Sequence, residues 1–175
     1  MANTYTLIAS VTVGSGGAQP ITFSSIPATY TDLLVKISAR GTDGATQDRI
    51  GMKINGNAYG NWTLRWLGTS AGSVVSYTES AFGTNNVNYF PSTAATASTF
   101  GNTEVYIPNY TSSNYKSISI DGVLESNQAT TGIYFGLEAA LWSQTNAITQ
   151  LDFTTASANN FAQYSTAYLY GIKNS

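Results

Sequence analysis

A chain of 175 residues has the usual length of one domain, and a domain of that size buries roughly 70% of its unfolded surface without staples. It contains no cysteine and no histidine, which excludes disulfides, thiolate metal sites and the commonest general base. Only 9% of residues are charged, the net charge is −2 and no basic run exists, so a nucleic-acid partner is not expected.

No apolar run approaches the length of a membrane-spanning helix, so no membrane partner is expected. The start, Met1-Ala2-Asn3-Thr4-Tyr5, lacks the charge and apolar stretch of a signal peptide. Synthesis in the cytoplasm is therefore expected. Aromatic residues make up 13% of the chain, including twelve Tyr. β-branched residues are dense and strong helix formers scarce, a composition that suits pleated sheets.

Period-two alternation recurs along the chain. Tyr5, Leu7, Ala9, Val11 and Val13 form one predicted strand face, stopped by Gly14-Ser15-Gly16-Gly17. Ile21 and Phe23 mark a short strand ended by Ile26-Pro27. Leu33, Val35, Ile37 and Ala39 alternate cleanly up to a turn at Gly41-Thr42-Asp43-Gly44. Ile50, Met52 and Ile54 follow, stopped by Asn55-Gly56-Asn57, a tight-turn signal. Trp62, Leu64 and Trp66 form the next run, and a further strand is expected over Val74 to Glu79. Residues Gly83 to Thr99 carry little pattern and are expected to be one long loop, a candidate contact arm.

In the second half, Thr103, Val105 and Ile107 end at Pro108-Asn109, and Ile118 and Ile120 precede Asp121-Gly122. Ile133, Phe135, Leu137, Ala139 and Leu141 make the longest alternating run, so these residues are expected in the core, where Leu137→Ala would cost about 2–5 kcal/mol. Ala147, Thr149, Leu151 and Phe153 form another run, and a last strand is expected from Phe161 to Ile172. About ten or eleven short strands with no helical period indicate an all-β, two-sheet antiparallel sandwich, jelly-roll-like. No linker or composition shift divides residues 1–175, so one domain is expected.

Each candidate for chemistry has a plainer reading. Gly14 to Gly17 leads through Gln19-Pro20 into a strand rather than a helix, so it reads as a turn and not a phosphate loop. Asp43 and Asp48 match no calcium-loop spacing. Glu104, Asp121, Glu125 and Glu138 could supply a glycosidase pair, yet each sits where a strand shows polar residues to solvent. Lys116 and Ser117 are adjacent on a predicted strand and point to opposite faces, so they cannot form a Ser–Lys couple. Tyr59, Trp62, Trp66, Tyr77, Tyr89 and Tyr110 could stack on sugars, but core or subunit contacts account for them better. Asn61-Trp62-Thr63 and Asn109-Tyr110-Thr111 match the glycosylation pattern, but a chain made in the cytoplasm is not expected to meet that machinery. No catalytic, cofactor-binding or metal-binding residue is assigned; the expectation is a protein that is not an enzyme and holds no cofactor.

Several segments together resemble a family of small virion proteins of tailed phages of aquatic bacteria. They are Tyr5-Thr6-Leu7-Ile8-Ala9-Ser10-Val11-Thr12-Val13, Ser25-Ile26-Pro27-Ala28-Thr29-Tyr30-Thr31-Asp32-Leu33, and Thr99-Phe100-Gly101-Asn102 leading to Ile107-Pro108-Asn109-Tyr110. Ala140-Leu141-Trp142-Ser143 with Ala147-Ile148-Thr149, and Gln163 to Ile172, complete the likeness. The resemblance implies a stand-alone structural component of the virion and carries over no catalytic residue. The expected role is a capsid decoration or cement protein on the phage head. The alternative is a tail-fibre or receptor-binding module for host surface glycans. Expected partners are further copies of the chain, as a homotrimer, and the major capsid protein or another virion protein. The aromatic-rich, charge-poor composition matches that of interface cores.

Overall fold

The third strand shows how the sandwich is built. In Asp32–Ala39 the residues Leu33, Val35 and Ile37 are fully buried, as their spacing predicts. Among the described residues there are twelve strands: β1 Tyr5–Thr12, β2 Ile21–Phe23, β3 Asp32–Ala39, β4 Gln47–Ile54, β5 Trp62–Ser70, β6 Ser73–Ser80, β7 Asn85–Pro91, β8 Gly101–Ile107, β9 Lys116–Leu124, β10 Tyr134–Trp142, β11 Leu151–Thr155 and β12 Thr166–Ile172. The structure is a computed structural model and describes residues 4–56, 61–70, 72–80, 85–128 and 134–173.

Eight strands form one sheet, in the order β1-β12-β3-β8-β9-β10-β5-β6, and four form the other, β2-β11-β4-β7. All pairings are antiparallel. The result is an all-β, two-sheet sandwich of jelly-roll type. Between the sheets lie Val35, Ile37, Val105, Ile107 and Ile120 from the large one and Ile21, Phe23, Met52, Ile54, Leu151 and Phe153 from the small one. Phe23 and Phe153 meet edge to face at 6.4 Å, a favoured aromatic geometry. Asn88 crosses the core from β7 and donates from Nδ2 to Thr103 Oγ1 at 3.1 Å. Gly122 makes room for it, because a Cβ there would lie 1.6 Å from that nitrogen.

Four expectations change. Residues Asn85–Pro91 are not loop but strand β7, the edge of the small sheet. A strand rich in Asn suits an edge, where one side of the ladder is open, and Pro91 ends it. The segment that follows is no free arm either. Arg40 donates to the carbonyls of Ala95, Thr96 and Thr99 at 2.9–3.1 Å, and Ala94 N–H donates to Ala45 O. Gly83 lies outside the described residues.

In β1 the alternation changes face. A bulge falls between Leu7 and Ala9, so Tyr5 and Leu7 point outward while Ala9 and Val11 turn toward the core. An extra residue in a strand moves every later side chain to the other face.

In β10 the facing is the reverse of the expectation. Tyr134, Gly136, Ala140 and Trp142 point inward, and Phe135 and Leu137 outward. Trp66 of β5 decides this. Its indole lies across Gly136, where a Cβ would come within 2.4 Å of Nε1. Only the glycine-bearing face of β10 accepts that ring. Ile133 lies outside the described residues.

The last two predicted runs are shorter than expected. Asn55 Oδ1 accepts from the N–H groups of Thr149 and Gln150, and its Nδ2 donates to Ala147 O, which holds Ala147 to Gln150 out of the ladder. Phe161 makes isolated bridges to Ala18 and Gly41 ahead of β12.

Candidate interaction face

Several residues considered for chemistry have partners within the fold. Gly14 to Gly17 close a turn, with Gly17 N–H donating to Gly14 O. The Asp48 carboxylate is buried and accepts from the Ser157 N–H and hydroxyl, and Asp43 Oδ1 accepts from Asn159 Nδ2 at 3.0 Å. Glu125 accepts from Asn127 N–H. Glu138 is buried on the inner face of β10, away from the other three acids. Lys116 and Ser117 do point to opposite faces, with Lys116 inside and Ser117 exposed. The Lys116 ammonium donates to the carbonyls of Ser112 at 2.7 Å and Asn114 at 2.6 Å and sits 5.9 Å from the Trp142 ring. Burial pushes its pKa down.

Among the described residues, the aromatic side chains considered for sugar stacking are engaged within the fold. Trp62, Trp66 and Tyr110 are buried, and Tyr110 donates its hydroxyl proton to Pro27 O. Tyr77 stacks on Trp66 at 5.0 Å and Tyr89 on Tyr134 at 4.3 Å. Tyr59 lies outside the described residues.

The outward face of the large sheet is the part of the surface that calls for explanation. Its register aligns Tyr168, Lys36, Glu104, Asp121, Leu137, Leu67 and Ser76 in one row across seven strands. The next row is Tyr170, Leu34, Tyr106, Ser119, Ala139, Arg65 and Thr78. Leu67 is 52% exposed, Leu137 60%, Phe135 48%, Val123 51% and Val74 74%, and all five lie on β9, β10, β5 and β6. At the other end Tyr5, Leu7 and Tyr168 are exposed on β1 and β12. Scattered surface leucines are ordinary, but Val123, Phe135, Leu137 and Leu67 adjoin one another, which makes this end of the face a candidate contact surface.

A charged strip separates the two apolar ends. Lys36 Nζ meets Glu104 Oε2 at 2.6 Å, and Glu104 is the direct cross-strand neighbour of Asp121. The hydrogen bond to Glu104 raises the Lys36 pKa. Desolvation and then the repulsion of Glu104 raise that of Asp121, with Lys36 opposing. Glu104 and Asp121 are the one pair of the four predicted acids that the fold brings together, but Lys36 already holds Glu104 on an open sheet. Next to the strip lies a groove of about 630 Å³ lined by Arg65, Leu67, Ser119, Asp121, Leu137 and Ala139 among others. Arg65 was not singled out from the sequence. Its signal is its place in Trp62-Thr63-Leu64-Arg65-Trp66, where the buried residues alternate with the outward ones.

No family model matches the chain, and no curated protein matches it. Among solved structures, the galectin LEC-6 of Caenorhabditis elegans is 6% identical, with a TM-score of 0.36, over 94% of this chain and 96% of that one.

Proposed function

We propose that this protein is a non-enzymatic structural component of a virus particle, a decoration or cement protein on the head of a tailed phage. The observation that carries the reading is the exposed apolar cluster of Val123, Phe135, Leu137 and Leu67 on the outward face of the large sheet, a surface that suits a packed partner. The lack of histidine and cysteine and the resemblance of five segments to small phage virion proteins support it. Its partners are then other copies of itself and the major capsid protein or another virion protein, and its place is the virion. A protein that binds the assembled shell and not the dissociated subunits stabilises the shell by mass action.

The test is heat resistance of particles with and without the protein. Particles stripped of it should lose their genome at a lower temperature and recover when it is added back. Unchanged resistance would contradict a cement role. The second reading, a tail module for host surface glycans, is favoured by the groove between Arg65 and Asp121, which offers donors and acceptors beside an apolar floor. Binding to a glycan array above background, with a few copies per particle rather than hundreds, would support it over the first.

A further inference from the structure

We propose that the β9, β10 and β5 end of the large sheet's outward face is a two-fold contact between two copies of this chain. The groove on that face is self-complementary. Arg65 and Asp121 stand on opposite sides of β10, one row apart, with Leu137, Ala139 and Leu67 around the midpoint between them. A two-fold axis lying in the contact plane and crossing β10 obliquely, between Leu137 and Ala139, exchanges these two positions. It sets Arg65 against Asp121 of the partner subunit and Leu67 against the partner subunit's Leu137, each pairing occurring twice. This is the isologous pattern of a two-fold interface. Among the described residues Arg65 has no ion-pair partner in its own chain. Asp121 shares its neighbourhood with the carboxylate of Glu104, so a second cation there relieves a repulsion.

The area agrees with a weak, specific dimer. A contact centred on β9, β10 and β5 that extends over the flanking β8 and β6, five strands about 4.8 Å apart and about 23 Å long, covers about 550 Å² of flat sheet per copy. The total of about 1,100 Å² lies near the lower bound for specific contacts. The Tyr5, Leu7 and Tyr168 end stays free for a larger partner. This contact is two-fold, unlike the expected homotrimer, because it rests on the exchange of the Arg65 and Asp121 positions. The inference does not depend on where the protein acts.

The test is sedimentation equilibrium of the full chain over a range of concentrations. The protein should equilibrate between monomer and dimer. Arg65→Asp or Asp121→Arg alone should weaken the dimer at least about tenfold, since each sets like charges face to face. The double variant Arg65→Asp with Asp121→Arg should restore it. Circular dichroism confirms folding of each, and Leu67→Ser reads the same contact should a charge variant not fold. A monomer at all concentrations, a trimer, or a dimer indifferent to the single changes would overturn the proposal. The last outcome would indicate association through another surface, such as the open edge of β6.

Discussion

Lys116 shows how one residue can be locally unfavourable and still required. Its side chain is 1% exposed, and its ammonium serves two loop carbonyls that have no other donor among the described residues. Lys116→Met removes that donor and should cost about 1–3 kcal/mol at neutral pH. The pH dependence separates this role from simple packing. Burial holds the folded-state pKa below the ordinary 10.5. Between the folded and the unfolded value the unfolded chain binds more protons, so this residue makes stability rise with pH through that window. Urea unfolding at a series of alkaline pH values should show the rise in the native protein and not in Lys116→Met. Tyr110, whose phenol burial pushes up, contributes the opposite slope in both proteins and cancels in the difference. A parallel pH dependence in the two would mean that the ammonium is not desolvated by the fold.

At the scale of the strand, alternation is informative wherever the two faces differ in polarity. In β3 only one neighbouring arrangement of Leu33, Val35 and Ile37 is possible beside Lys36, and the facing can be read directly from the sequence. In β10 both faces are apolar, Phe135 and Leu137 on one and Tyr134 and Trp142 on the other, so period two locates the strand but not its inside. The deciding feature is Gly136 beneath Trp66, a contact between strands that no local pattern contains. The bulge in β1 and the Asn-rich edge strand β7 are hidden for related reasons, since an extra residue and an open ladder leave no periodic mark. The interaction face was unreadable for the same cause. Its leucines look like core until the facing of β10 is known, and Arg65 and Asp121 meet in one groove only through three aligned strands. A pair of substitutions checks this assignment. Phe153→Ala, in the core, should cost about 3–5 kcal/mol, whereas Leu137→Ala should change monomer stability by less than about 0.5 kcal/mol. Equal losses in thermal or denaturant unfolding would return Leu137 to the core.

For the whole molecule, the two sheets differ in what they leave outside. The four-stranded sheet keeps polar outward residues that pair among themselves, as Asp152 does with Thr22 and Gln150. The eight-stranded sheet shows aliphatic and aromatic side chains on both sides of a narrow charged strip. With so few charges in the chain, long-range attraction contributes little, and the proposed association draws on buried apolar area. A rigid sandwich with one such face fits a protein whose work is to be packed against others. If the protein is the proposed virion component, an electron-microscopy map of a particle that carries it tests this most directly. The expected result is protein density packed on Leu67, Phe135 and Leu137 of each copy, so that the outward face of the large sheet is closed to solvent. A particle in which that face is bare, with the protein held only by its loops or by the small sheet, would contradict it.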